Sequence, residues 1–326
     1  MEKIKFNVNQ SVFKVGELPD KMYLLVKGSV GLALKAQIST LVIGMTVVSF
    51  GTSAPELLVS MGAALEGGED SDMSIGNVIG SNIANLALVL GATAIISPIK
   101  VQRVSVRQDW PIMMVATTLF VLFMFFFDGE IHLINRLEGI VLFILIIVFT
   151  YFMIWKSRKE KNAGVKIQIN EEIHENKGAP VWKSIVFLIG GCVALVLGSN
   201  WLLEAATNIA TSAGVTPFVI SVTVLAFGTS VPELAASAIA AYRKQTDIAI
   251  GNLIGSNIFN IFCVVGLTGT IANMPVANSA LTYDLWWMLA ITAALLPLML
   301  IGGKIHRWKG VLLIFTYVLY IFILVA

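Results

Sequence analysis

Gly51-Thr52-Ser53-Ala54-Pro55-Glu56 recurs 177 residues later as Gly228-Thr229-Ser230-Val231-Pro232-Glu233. Downstream, Gly76-Asn77-Val78-Ile79-Gly80-Ser81-Asn82-Ile83-Ala84-Asn85 recurs 175 residues later as Gly251-Asn252-Leu253-Ile254-Gly255-Ser256-Asn257-Ile258-Phe259-Asn260, identical at 8 of 10 positions. Order and spacing are kept in both halves, so the chain is a duplication. Each glutamate lies inside a long apolar stretch, and ionisable groups at membrane depth are rare and usually functional.

Of the 326 residues, 57% are hydrophobic and 13% charged, against about 25% charged in soluble domains. This is the composition of a polytopic membrane protein. A net charge of +2 gives no basis for a nucleic-acid partner. Cys192 and Cys263 sit in apolar runs without a CxxC spacing and read as packed thiols rather than a disulfide framework. His132, His174 and His306 fall in polar connections, where a solvated ring is expected rather than a metal ligand.

A spanning helix needs about 20 apolar residues at about 1.5 Å rise each. Nine stretches approach that length: 39–65, 74–96, 110–127, 137–155, 184–213, 216–242, 247–271, 285–301 and 309–325, with a shorter tenth at 22–38. Lys and Arg gather in alternate connections, at Lys100, Arg103 and Arg107, at Lys156 to Lys183, at Arg243 and Lys244, and at Lys304, Arg307 and Lys309. Those connections are therefore cytoplasmic, and the C-terminus faces outside. Trp110, Trp155, Trp182, Trp286, Trp287 and Trp308 fall at segment ends, as an interfacial belt requires.

The fold expected is an all-α polytopic membrane protein of about ten transmembrane helices in two five-helix repeats. Five is odd, so the repeats enter the membrane from opposite sides and are inverted. The division is a polar arm at 1–21, a first membrane half at 22–155, a cytoplasmic linker at 156–183 and a second membrane half at 184–326. Aligned on the repeat offset, 22–38 matches only the latter part of the segment 184–213, so the first helix is shortened. Residues 1–21 are too polar to span and read as a short strand or an interfacial arm. Lys27 and Glu204 occupy equivalent positions and read as snorkelling charges.

On a helix, positions i, i+3 and i+4 share a face. Thr52, Ser53 and Glu56 therefore converge, as do Thr229, Ser230 and Glu233. Pro55 and Pro232 cannot donate to the fourth residue back, which frees carbonyls near Gly51 and Gly228. Ser81 with Asn85, and Ser256 with Asn260, are i, i+4 pairs that bring hydroxyl and amide oxygen to the same place. Gly76 with Gly80 and Gly251 with Gly255 are small-xxx-small patterns for close helix contact. Taken singly, each feature has a structural explanation in packing or in capping a kink. Their repetition in one order at one spacing argues for a site. Two carboxylates among oxygen donors suit a hard cation such as Ca²⁺ or Na⁺, and the absence of Cys or His nearby disfavours Zn²⁺ or Cu⁺.

The two blocks resemble those of the calcium/cation antiporter superfamily, specifically the prokaryotic sodium/calcium exchangers, from about Tyr23 to Ala326. The resemblance implies a ten-helix fold working by alternating access. It implies side-chain ion ligands at Glu56, Glu233, Thr52, Thr229, Ser53, Ser230, Asn85 and Asn260, backbone carbonyl ligands at Ser49 and Ala226, and further lining positions at Ser81 and Ser256. The segments 22–38 and 184–213 match the helices that slide in the family. Some relatives carry Asp where this chain has Asn260, so the cavity here holds two carboxylates.

The expectation is a multi-pass protein of the inner or plasma membrane that exchanges Ca²⁺ for Na⁺, with H⁺ as the rival counter-ion. Ca²⁺ and Na⁺ (or H⁺) are substrates, the bilayer is the other partner, and no cofactor is expected. A passive cation channel is a second class, marked by current that needs no counter-ion. An intramembrane hydrolase using Glu56 and Glu233 as an acid pair is a third. Against it, the chain has no nucleophile with a base, no metal triad and no cofactor motif.

Overall fold

The computed structural model describes residues 38–66, 72–126, 132–162, 181–212, 226–276 and 280–325. The expectations for the arm at 1–21 and for Lys27 lie outside these residues, as do those for most of the linker and for nearly all of the short segment 22–38. In chain order the helices are α1 (Thr40–Thr52), α2 (Ala54–Glu66), α3 (Ser74–Ile96), α4 (Ser105–Phe125), α5 (Arg136–Lys159), α6 (Val181–Ser212), α7 (Ala226–Thr229), α8 (Val231–Tyr242), α9 (Thr246–Ile271), α10 (Ala280–Gly303) and α11 (Arg307–Val325). The pair α1 and α2 forms one span, bent by 44°.

The bend has a local cause. Ser53 leaves the helical region at φ −84°, ψ 6°, and Ser230 does the same between α7 and α8 at φ −86°, ψ 0°. Each precedes a proline by two residues, and proline withholds the hydrogen bond that would carry the ladder through. The repeat is thus present in the backbone dihedrals as well as in the sequence.

Two-residue strands tie the connections together, a detail too short for sequence periodicity to reveal. β1 (Ile99–Lys100) pairs antiparallel with β4 (Lys304–Ile305), and β2 (Leu133–Ile134) with β3 (Met274–Pro275). β1 follows α3 and β4 precedes α11, whereas β2 precedes α5 and β3 follows α9. The two pairs therefore close opposite ends of the bundle and exchange under the repeat operation. β1 and β4 carry Lys100 and Lys304, on the side that the charge pattern marks as cytoplasmic.

The repeats interlock. α11 of the second half packs on α3, where a Cβ on Gly91 would stand 2.8 Å from the Gly310 carbonyl. α5 of the first half packs on the end of α9, where a Cβ on Gly266 would stand 2.6 Å from the Phe143 nitrogen. Small residues let the backbones approach, which is how helices gain contact in lipid. α9 forms the centre, buried along its whole membrane window, while α5, α10 and α11 turn most of their surface outward.

Several boundaries differ from the sequence reading. α4 and α10 begin at Ser105 and Ala280, about one turn before the predicted 110 and 285, through wide turns over Ser105–Asp109 and Ala280–Asp284. These wide turns hold polar residues, which masked them in a hydropathy reading. Lys309, counted above among loop cations, is fully buried and donates from Nζ to the carbonyls of Leu298, Ile301 and Lys304. Cys263 is a buried free thiol as expected, and Glu204 is exposed on α6.

Candidate ion site

The breaks between α1 and α2 and between α7 and α8 meet the helices α3 and α9 at the bundle centre. Glu56 and Glu233 lie one turn beyond the breaks and are wholly buried, as are Ser49, Ser81, Asn85, Ser256 and Asn260. Thr52, Ser53, Thr229 and Ser230 are at most 3% exposed. Ala226 opens α7. Every described side chain of the predicted set is therefore in the interior.

Contacts cross between the repeats. Thr52 Oγ1 lies 3.4 Å from Ser256 Oγ, and its image, Ser81 Oγ to Thr229 Oγ1, measures 3.3 Å. Thr52 also donates to Asn252 Oδ1 at 3.2 Å, and Ser49 Oγ reaches the Asn252 carbonyl at 3.0 Å. Ser53 donates to Glu233 Oε1 at 3.1 Å, so it serves the other repeat's acid and not the Glu56 of its own. The helical spacing rule placed Ser53 beside Glu56; the break at Ser53 overrides it. The Ser49 carbonyl is engaged by the Ser53 amide at 2.9 Å and by Thr52 Oγ1 at 3.3 Å.

The second block contributes amides. Asn260 Nδ2 donates to Asn82 Oδ1 at 3.1 Å, which leaves Asn260 Oδ1 without a hydrogen-bond partner. Asn85 is unpartnered at both amide atoms. Wide turns include these residues, over Ala84–Val89 and Asn260–Val265, the kind of local widening that recurs at functional sites.

Supporting residues escaped the sequence reading. Asn252 Nδ2 donates to Ser237 Oγ at 3.0 Å, and its image Asn77 Nδ2 to Ser60 Oγ, also at 3.0 Å. Asn82, Asn77 and Asn252 stood inside the quoted blocks; identity between the halves was the signal, and selecting only the i, i+4 pairs passed over it.

What remains is a set of buried oxygens with no protein donor: both of Glu56, Oε2 of Glu233, Oδ1 of Asn85 and of Asn260, and Oγ of Ser230. Glu56 is near enough to Glu233 for their charges to repel. An uncompensated buried carboxylate costs several kcal/mol or more, and two repelling ones cost more still. The arrangement demands cations or protons. Among the described residues no cluster of three His, Cys, Asp or Glu exists, so the donors are carboxylate, hydroxyl and amide oxygens, the set that hard cations take.

Paired buried acids among oxygen donors at the centre of a duplicated membrane bundle are the arrangement of a cation site, and the family that the sequence matches makes the class a cation antiporter. The chain belongs to the sodium/calcium exchanger family: the family profile described as sodium/calcium exchanger protein matches residues 22–155 and 183–326. It is similar to CaxA of Alkalimonas amylolytica, 35% identical over 305 residues and 92% of each chain. It is also similar to the sodium/calcium exchanger MaX1 of Methanosarcina acetivorans, 33% identical over 333 aligned positions, 92% of this chain and 93% of that one. Among solved structures, the sodium/calcium exchanger from Methanococcus jannaschii superposes with a TM-score of 0.75 at 30% identity, covering 92% of each chain.

Proposed function

We propose that the protein exchanges Ca²⁺ for Na⁺ at the site framed by Glu56, Glu233, Thr52, Thr229, Ser53, Ser230, Asn85 and Asn260, with Ser81, Ser256 and the carbonyls of Ser49 and Ala226 completing it. The observation that carries this reading is the pair of buried carboxylates, one from each repeat, among oxygens that have no donor of their own. Two carboxylates balance one Ca²⁺. Na⁺ ions on the same oxygens balance them equally, so the two cargoes exclude one another. Exchange follows when the site changes sides only with its charge compensated, because the empty acids carry the burial cost across. The relative named as a sodium/calcium exchanger supports Na⁺ as the partner ion.

Proton exchange is the second reading, favoured by the same two acids, since protons also remove their charge. Both are tested by Ca²⁺ uptake into proteoliposomes under separately imposed Na⁺ and H⁺ gradients. Uptake driven by an outward Na⁺ gradient is expected, and acid pH inhibits it by protonating the shared carboxylates. Uptake driven by a pH gradient alone assigns Ca²⁺/H⁺ exchange. Glu56→Gln and Glu233→Gln each lower Ca²⁺ uptake at least about 100-fold, equivalent to about 2.7 kcal/mol; near-normal uptake by either overturns the site.

A further inference from the structure

An open cleft of about 370 Å³ lies between the start of α4 with the chain leading into it and the end of α10. Its lining includes Arg103 and Arg107 together with Val106, Met299 and Leu300. The cleft is built rather than incidental. The Val101 amide donates to the Gly303 carbonyl at 3.0 Å, and the β1 and β4 pairing beside it fixes the two connections together. Gly302 and Gly303 turn at φ +73° and +60°, a left-handed conformation that glycine adopts without strain.

Arg103 and Arg107 are exposed, one helical turn apart, and have no acidic partner among the described residues. Asp247 stands close by, but Gln102 and Lys100 face it. The level in the membrane is set by the fold. α4 begins here and α10 ends here, Leu300 and Ile301 are 59% and 58% exposed beside the cleft, and Trp308 is exposed on the next helix. Apolar side chains sharing a cleft with a pair of exposed guanidinium groups, on the side the charge pattern marks as cytoplasmic, match one ligand chemistry: a phosphate attached to a hydrocarbon chain. Guanidinium forks bind phosphate oxygens in bidentate fashion, and basic pockets between membrane helices on the cytoplasmic side take anionic headgroups.

We propose that this cleft binds one anionic phospholipid, its phosphate on Arg103 and Arg107 and the start of its acyl chains along Val106 and Leu300. A lipid held there bridges the connection between α3 and α4 to the one between α10 and α11, one from each repeat. The site is remote in role from the ion ligands and does not depend on which counter-ion is exchanged.

The test is native mass spectrometry of the full-length protein released from micelles holding equal phosphatidylglycerol and phosphatidylcholine. The protein is expected to retain one phosphatidylglycerol with about 30-fold preference, two cations contributing about fivefold each. The Arg103→Gln/Arg107→Gln double variant brings that preference within about threefold. Arg307→Gln removes the same kind of charge from the same surface outside the cleft and leaves the preference in place. Leu300→Asn weakens phosphatidylglycerol without altering binding of inorganic phosphate. The proposal is overturned if the double variant keeps its preference, if Arg307→Gln loses as much, or if inorganic phosphate displaces the lipid at equal concentration, which would make the cleft a soluble-anion site. Folding of each variant is checked by its elution as a monodisperse peak.

Discussion

Ser53 of the first repeat donates its hydroxyl to Glu233 of the second across 3.1 Å, while the image pair, Ser230 and Glu56, makes no such bond. The two halves agree in motif, in the dihedrals at the break and in the paired contacts of Thr52 with Ser256 and Ser81 with Thr229. They part company at the carboxylates. An inverted repeat can open to one side at a time only by being asymmetric, and here the asymmetry sits on the acids themselves.

That difference is measurable without any ion bound. Leaving a buried acceptor without its donor costs about 1–3 kcal/mol, so Ser53→Ala in chelator lowers the melting temperature by several degrees. Ser230→Ala, which removes a hydroxyl without a partner here, shifts it by less than about one degree. Thermal unfolding of both purified variants in Na⁺-free, Ca²⁺-free buffer checks the contrast. Equal shifts would show that the asymmetry is not a property of the ion-free protein.

The glycines of the second block are expected to be intolerant. A Cβ on Gly255 would stand 2.6 Å from Met45 Cα, and one on Gly251 would stand 2.7 Å from the Leu41 carbonyl, so α9 cannot keep its seat against α1. Overpacking of this kind costs about 1–3 kcal/mol. Gly255→Ala lowers both thermal stability and Ca²⁺ uptake because the same shift separates Thr52 from Ser256. Gly62→Ala on α2, where nothing lies within 4 Å of the added carbon among the described residues, lowers neither. A stable, fully active Gly255→Ala protein would show that the two helices have slack.

Much of this was legible before any coordinates. Duplication marked the acids, because a packing accident does not repeat Thr, Ser, Pro and Glu at one spacing, and hydropathy marked the spans, because lipid excludes polar side chains over their length. What stayed hidden was tertiary. The i, i+4 rule reports the face of one helix, and it assigned Ser53 to Glu56, whereas the chain breaks at Ser53 and sends its hydroxyl to Glu233. It selected Ser81 and Asn85 but not Asn82, whose partner Asn260 lies 178 residues away. Wide turns at Ser105 and Ala280 add polar residues to helices that hydropathy starts later. Lys309 read as one more loop cation, since nothing local says that three carbonyls surround it.

Lys309 is a helix-end device. Its ammonium gathers the carbonyls of Leu298 and Ile301 in the last turns of α10 and of Lys304 just beyond it; the first two are acceptors that a helix terminus leaves without partners and that carry its negative dipole. Lys309→Met keeps the length of the side chain and removes all three bonds, at a cost of about 3 kcal/mol or more. The expected result is a lower melting temperature and faster proteolysis at Ile301–Lys304, with residual Ca²⁺ uptake per folded molecule unchanged. Uptake lost in a variant of normal stability would instead give Lys309 a part in transport.

In the proposed ion site, Asn260 decides how many negative charges the cavity holds. In this chain its Nδ2 donates to Asn82 Oδ1 at 3.1 Å, which commits the amide orientation and leaves Oδ1 as the atom without a partner. Asn260→Asp removes that donor and puts two oxygens against one. Asn82 must then rotate to offer its own Nδ2, giving up its contacts with the Asn257 carbonyl and Met288 sulfur at 3.5 Å and 3.8 Å. The third carboxylate beside Glu56 and Glu233 is tolerated only with a proton or a further cation. Asn260→Asp therefore alters Na⁺ competition and the pH dependence of Ca²⁺ uptake, with expression unchanged. Asn82→Asp alone keeps an acceptor for Asn260 Nδ2 but turns a carboxylate oxygen toward the Asn257 carbonyl, where Asn82 Nδ2 now donates. Combined with Asn260→Asp it places two acids face to face and is the most damaging of the three. Competition and pH profiles for Asn260→Asp that overlay the parent's would remove Asn260 from the ion site and leave the second block with its packing role.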